Sequence, residues 1–134
     1  MRYLLDTHII LWAITDDARL PQIAREIIED QNNEICYSAA SIWEVAIKHN
    51  LHPDKMPIGG RELSTYCLKS GYQAVSIRED HIFELEQLCY PEHAPKHNDP
   101  FDRILISQAK ADDLIFITHD SLIPNYGEKC ILSV

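Results

Sequence analysis

The sequence predicts an α/β fold of three layers, with helices on both faces of a mostly parallel central sheet of four or five strands. Three observations lead there. Short runs rich in Ile, Leu, Val and Tyr alternate along the chain with amphipathic stretches of helical period. Strands separated by helices must cross over, and so pair in parallel. No repeat, low-complexity tract or Gly/Ser-rich linker interrupts the 134 residues, so residues 1–134 are expected to form a single domain.

Taken in order, Tyr3–Leu5 reads as the first buried strand, and Asp6 as the cap of a helix starting at Thr7. Pro21 can open a helix striped by Ile23, Ala24, Ile27 and Ile28. Residues 34–37 read as a second strand. Ile42, Val45, Ala46 and His49 stripe the helix that follows, which is apolar nearly all round and is expected to be largely buried. A loop from His52 to Gly60 leads to a helix marked by Leu63, Tyr66 and Cys67 and stopped by Gly71. Residues 74–76 read as a third strand, with Ser76 and Glu79 as a capping box for a helix striped by Ile82, Leu85, Leu88 and Cys89. The Pro- and His-containing stretch from Tyr90 to Asn98 reads as a loop. A helix from Pro100 to about Ala111, a strand at Ile115–Thr118 and a weak one at residues 130–132 complete the chain.

Composition narrows the function classes. At 46% hydrophobic and 25% charged, the chain can bury a core without staples. No apolar run approaches the roughly 18 residues of a membrane helix. The N-terminus meets Asp6 too early for a signal peptide, so the expected location is the cytoplasm, with no membrane partner. Cys36, Cys67, Cys89 and Cys130 form no C-x-x-C pair and read as reduced structural thiols. Lys plus Arg is 12 and Asp plus Glu is 21, a net charge of −9, which argues against attachment to nucleic acid through a broad basic face. It leaves room for an acidic pocket with a basic rim.

In an open parallel sheet, ligands gather at the carboxyl ends of the strands. Asp6 ends the first strand, Glu44 rides on the helix after the second, Asp99 and Asp102 open the last long helix, and Asp120 follows the strand ending at Thr118. Carboxylates crowded together raise one another's pKa, and a divalent cation relieves that cost. Mg²⁺ or Mn²⁺ on oxygen ligands could then polarise a phosphate and activate water, with no protein nucleophile. Each acid also has a structural reading. Asp6 can cap a helix, Glu44 can close a capping box with Ser41 or pair with Lys48, Asp99 can cap the helix entered at Pro100, and Asp120 can be a turn residue.

These residues resemble the four acidic motifs of the PIN-domain family. Leu4-Leu5-Asp6-Thr7-His8 resembles the opening motif, and Ser38 to Lys48 with Glu44 resembles the second. His97-Asn98-Asp99-Pro100-Phe101-Asp102-Arg103 resembles the third, and Ile117-Thr118-His119-Asp120 the fourth. Order and spacing match along essentially the whole chain. The resemblance implies a Mg²⁺- or Mn²⁺-dependent endoribonuclease, commonly the VapC-like toxin of a type II toxin–antitoxin module. It implies a homodimer inhibited by a small antitoxin, acting on an RNA substrate such as a transfer RNA. Carried over, Asp6, Glu44, Asp102 and Asp120 are the catalytic and metal-binding acids. Asp99 is a further metal or outer-shell candidate, Thr118 orients a site water or carboxylate, and Thr7 supports the site. His8 departs from the Asn of many members, and an imidazole cannot copy an amide's pair of hydrogen bonds.

Lys48 and Arg103 flank two of the acids, either as surface ion pairs or as phosphate-binding groups. Lys96 and His97 are candidates for touching phosphate. His93 and His97 have zinc spacing only on a helix, which Pro91 and Pro95 disfavour. Trp12 and Trp43 lie in apolar stripes and are expected in the core rather than stacked on bases. Two competing readings are a phosphoacceptor receiver domain, which lacks its acid pair and mid-chain Asp here, and a catalytically silent PIN-fold RNA-binding or assembly protein.

Overall fold

The computed structural model describes residues 1–134. Five parallel strands, β1 (Arg2–Leu5), β2 (Glu34–Ser38), β3 (Gln73–Val75), β4 (Ile115–Thr118) and β5 (Ile131–Ser133), lie in the order β3-β2-β1-β4-β5. Six helices connect them: α1 (Thr7–Ile14), α2 (Gln22–Glu29), α3 (Ala39–Leu51), α4 (Gly60–Lys69), α5 (Glu79–Glu86) and α6 (Pro100–Ala111). A 3₁₀ turn at Ile123–Tyr126 precedes β5. No helix is long and apolar enough to cross a membrane.

Alternation along the strands builds two cores. Tyr3 and Leu5 of β1, Ile35 and Tyr37 of β2, and Ile117 of β4 face one side, where Ile9, Ile10, Ala24, Leu63 and Cys67 meet them. Leu4, Cys36 and Phe116 face the other, against Leu105, Ile106, Ala109 and Ile123. The expected three layers follow. The chain leaves β1 toward β2 and β3, then returns to β4 on the opposite flank of β1. The carboxyl ends of β1 and β4 therefore form a topological switch point, where connections diverge and a crevice opens.

Several expectations change in detail. Pro21 is the residue before α2 rather than its first helical residue, and Ile23 points to solvent. Ser76 does not cap α5; its carbonyl accepts from Gln108, and the helix starts after Arg78, whose N–H donates to His81 Nδ1. That helix ends at Glu86, short of Leu88 and Cys89, and Cys89 is exposed. In α3 the buried residues are Ala40, Ser41, Glu44 and Val45, so Trp43 lies on the opposite side. It is 59% exposed, edge-on to Phe101 at 5.1 Å, contrary to the expected core position. Trp12 is half-buried against the first core.

Candidate active site

Asp6 follows β1 at the switch point and is 4% exposed. Its extended backbone caps α1, and one carboxylate oxygen accepts the N–H of Thr7 at 2.7 Å. The other accepts the hydroxyl of Thr118, the last residue of β4, at 2.7 Å. The capping and site readings of Asp6 thus coexist. Burial drives its pKa up to about 6, against the lowering effect of the Thr118 and Thr7 hydrogen bonds; the charge of Glu44 adds to the rise.

Glu44 reaches the same crevice from α3 and is 3% exposed. Thr7 donates its hydroxyl to one oxygen at 2.7 Å, and Lys48 donates to the other at 2.7 Å. Ser41 stands 2.9 Å from the Thr7 hydroxyl, so it orients Thr7 rather than closing a capping box with Glu44. The N-cap of α3 is Ser38.

Asp102 projects from the first turn of α6. Its pKa rises to about 8, chiefly through burial and then through the charges of Asp6, Asp99, Glu44 and Asp120. Four acids from different chain segments therefore act on one carboxyl group. Asp120, beyond β4, gives an oxygen to the N–H of Leu122 at 2.7 Å, while its own N–H donates to Thr118. The turn thus fixes it beside the site. Asp99 caps α6, accepting from the N–H groups of Phe101 and Asp102 at 2.8 and 3.1 Å. It is exposed and bears on the cluster through its charge.

His97 is the residue whose role the sequence hid. Its side chain is buried, with Nε2 3.0 Å from an Asp102 oxygen and Nδ1 2.8 Å from the Tyr126 hydroxyl. It braces a carboxylate and is not open to phosphate. Ligand atoms of His97, Asp102 and Asp120 all lie within 4.8 Å of one another. With both ring nitrogens engaged, the imidazole orients Asp102 and leaves the carboxylates as the oxygen donors. His93 is exposed and takes no part. Arg103 points to Tyr126, donating to its hydroxyl at 3.3 Å and lying 5.8 Å over its ring. Tyr126 was missed because it sits in a short 3₁₀ turn with no periodicity to mark it.

The donor set fits a hard divalent cation. Asp6, Glu44, Asp102 and Asp120 offer oxygens, the usual ligands of Mg²⁺ and Mn²⁺, while the cation nearest them, Lys48, pairs with Glu44 alone. Larger recesses, such as one of about 460 Å³ between residues 28–35 and 70–73, lie away from these acids.

A family model described as PIN domain matches residues 3–129. A chain in the crystal structure of VapBC2 from Rickettsia felis bound to a DNA fragment from their promoter has a similar fold, with a TM-score of 0.70. It is 18% identical and the match covers 100% of this chain and 98% of that one. No curated protein matches the sequence.

Proposed function

The chain belongs to the PIN domain family, and on that premise we propose that it is a divalent-metal-dependent endoribonuclease, the VapC-like toxin of a type II toxin–antitoxin pair. The observation that carries the proposal is the convergence of the acids: Asp6 and Asp120 line one recess, oxygens of Asp102 and Asp120 lie within 4.8 Å of each other, and burial with the neighbouring carboxylates pushes the Asp102 pKa up to about 8. Among these acids only Glu44 pairs with a lysine or arginine, so ionising the whole cluster is costly unless a divalent cation shares the charge. Asp6, Glu44, Asp102 and Asp120 would hold Mg²⁺ or Mn²⁺. A cation there supplies Lewis acidity, lowering the pKa of a water and stabilising charge on the phosphate and the leaving oxygen.

The chain's own residues do the positioning. Thr118 and Thr7 hold Asp6 and Glu44 in fixed orientations, and His97 fixes Asp102. Attack of water on phosphorus breaks the P–O3′ bond and leaves a 3′-hydroxyl and a 5′-phosphate. Lys48 and Arg103 are engaged with Glu44 and Tyr126, so their part is to neutralise and frame the site. The convergence of all four acids favours catalysis over a silent RNA-binding scaffold.

The proposed partners are a single-stranded or transfer RNA substrate, a small antitoxin and a second copy of the chain, in the cytoplasm. The likeness to a chain of VapBC2 supports the toxin role through its fold. An apolar groove of about 380 Å³ beside exposed Trp43 supports a protein partner.

The test is cleavage of purified transfer RNA with Mg²⁺ or with chelator. Cleavage should require the ion. Asp6→Asn can keep its carbonyl oxygen as acceptor for the Thr7 N–H and turn its amide NH2 to the Thr118 hydroxyl, which can accept, so it should fold while losing the charge and at least ~10²-fold in rate, a typical cost for removing a key electrostatic group. Undiminished cleavage by that variant would overturn the assignment.

A further inference from the structure

Beside the acids lies a recess of about 240 Å³ lined by Asp6, His8, Trp12, His119 and Asp120. Its floor is two of the site carboxylates and its wall is three aromatic rings. His8 and Trp12 are one turn apart on α1, with ring centroids 6.0 Å apart, and His119, just beyond β4, meets Trp12 edge-on at 5.7 Å. The two histidines are exposed and Trp12 is half-buried, one part anchored in the core.

Two residues that do not line the recess hold the arrangement. Arg19 sits 5.5 Å over the Trp12 ring and is itself pinned by two side-chain hydrogen bonds to Asp17, at 3.1 and 2.8 Å. His119 is fixed through Nδ1 to the carbonyl oxygen of Val134. Aromatic rings held in this way cost little further ordering when a flat ligand arrives. Neither core packing nor metal binding requires two exposed imidazoles around a tryptophan at the mouth of the acid cluster.

We infer that this recess is a nucleobase subsite, which takes one base of single-stranded RNA adjoining the scissile phosphate against Trp12 and His119. The inference rests on the nuclease reading above. Three features select a base over other occupants. The recess is smaller than the roughly 300–1,000 Å³ of pockets for drug-sized molecules. Its aromatic wall suits stacking, which tolerates any base because each has a π-face. Its floor, Asp6 and Asp120, belongs to the acid cluster that would hold the cation and with it the cleaved phosphate, which leaves the aromatic wall to the adjoining base. A phosphodiester held at the acids therefore projects a neighbouring base into the aromatic wall.

The protein has two tryptophans, so Trp43→Phe leaves Trp12 as the sole indole fluorophore. This variant is titrated, with Ca²⁺ replacing Mg²⁺, with a short unstructured RNA and with versions carrying one abasic nucleotide at successive positions. The expected result is saturable quenching of Trp12 by the intact RNA. One abasic position next to the mapped cleavage site should weaken binding by about 5- to 150-fold and abolish the quenching. Trp12→Ala and the exposed-site variant His119→Ala should bind intact RNA more weakly and lose sensitivity to that abasic position. His119→Ala keeps the test decisive if Trp12→Ala folds poorly. If the protein cleaves RNA but neither variant changes its response to the abasic series, the subsite is overturned and the nuclease reading stands. Quenching by an arginine-bearing peptide but not by RNA overturns it in favour of a protein-binding role. If the protein neither binds nor cleaves RNA, both readings fall.

Discussion

Asp102 enters the fold opposed by its surroundings, and His97 is what keeps it in place. The buried imidazole bridges Asp102 and Tyr126, with Nε2 3.0 Å from an Asp102 oxygen and Nδ1 2.8 Å from the Tyr126 hydroxyl. Partners that orient a metal-binding carboxylate typically contribute 10- to 100-fold in metal affinity. His97→Ala should accordingly raise the Mg²⁺ concentration for half-maximal cleavage by about that factor, with a smaller change at saturating Mg²⁺. An equal rate loss at every Mg²⁺ concentration would argue against the bracing role. Asp102 also sets a pH dependence. Its folded pKa, about 8, lies above the ordinary value of 3.8, so the native state binds the proton more tightly than the unfolded chain. The resulting stabilisation is complete below pH ~4 and is lost as pH rises through about 8; Asp6 adds a similar loss ending near 6. Metal-free protein should therefore lose thermal stability between pH 5 and 8.5. Asp102→Asn should flatten that slope. A melting temperature in chelator that rises over this range would contradict the sign.

At the scale of elements, α3, which carries Glu44, packs closely on α4 at Gly60. A side chain at Gly60 would place its Cβ 3.0 Å from the carbonyl oxygen of Ile42 and 3.2 Å from the Cβ of Ala46. Gly60→Val should destabilise the fold by about 1–3 kcal/mol, as overpacking does, measured by urea denaturation. No loss would mean that α4 can slide without cost. Gly71, at φ +83°, ends the same helix as the sequence implied, because glycine alone takes that conformation freely. Short continuous apolar runs made β1 and β4 legible and Pro100 marked the start of α6, and with them the places of Asp6, Asp102 and Asp120 at element ends. The start of α5 was not legible. There a histidine side chain and an arginine backbone replace the usual Ser/Glu cap, and propensity gives no sign of that exchange. His97 and Tyr126 were hidden for a related reason: their contact joins residues 29 apart, in segments without periodicity. Trp43 misled because an apolar helix buried its small and polar side, including Glu44, and left its largest ring outside.

The whole molecule carries a net charge of −9, an unusual balance for a protein proposed to grip RNA. Three cations around the site are already committed, Lys48 to Glu44, Arg19 to Asp17, and Arg103 to the Tyr126 hydroxyl and ring, which leaves exposed Lys96 beside His97. Few of them remain to displace counterions from the RNA. For a single strand, the slope of log affinity against log salt is about −0.7 per neutralised phosphate. With only one or two phosphates contacted, binding in Ca²⁺ should show a slope near −1, far shallower than that of a basic RNA-binding surface. Affinity must then come from the divalent site and from stacking, which salt screens less than exposed charge. Chelator should weaken RNA binding more than raising KCl from 50 to 200 mM, conditions under which a protein making 6–10 phosphate contacts loses roughly 10³–10⁵ in affinity. Filter binding across that salt range, with Ca²⁺ and with chelator, separates the two outcomes. A steep slope that persists in chelator would place the RNA on a basic surface away from the acids and sever recognition from the site described above.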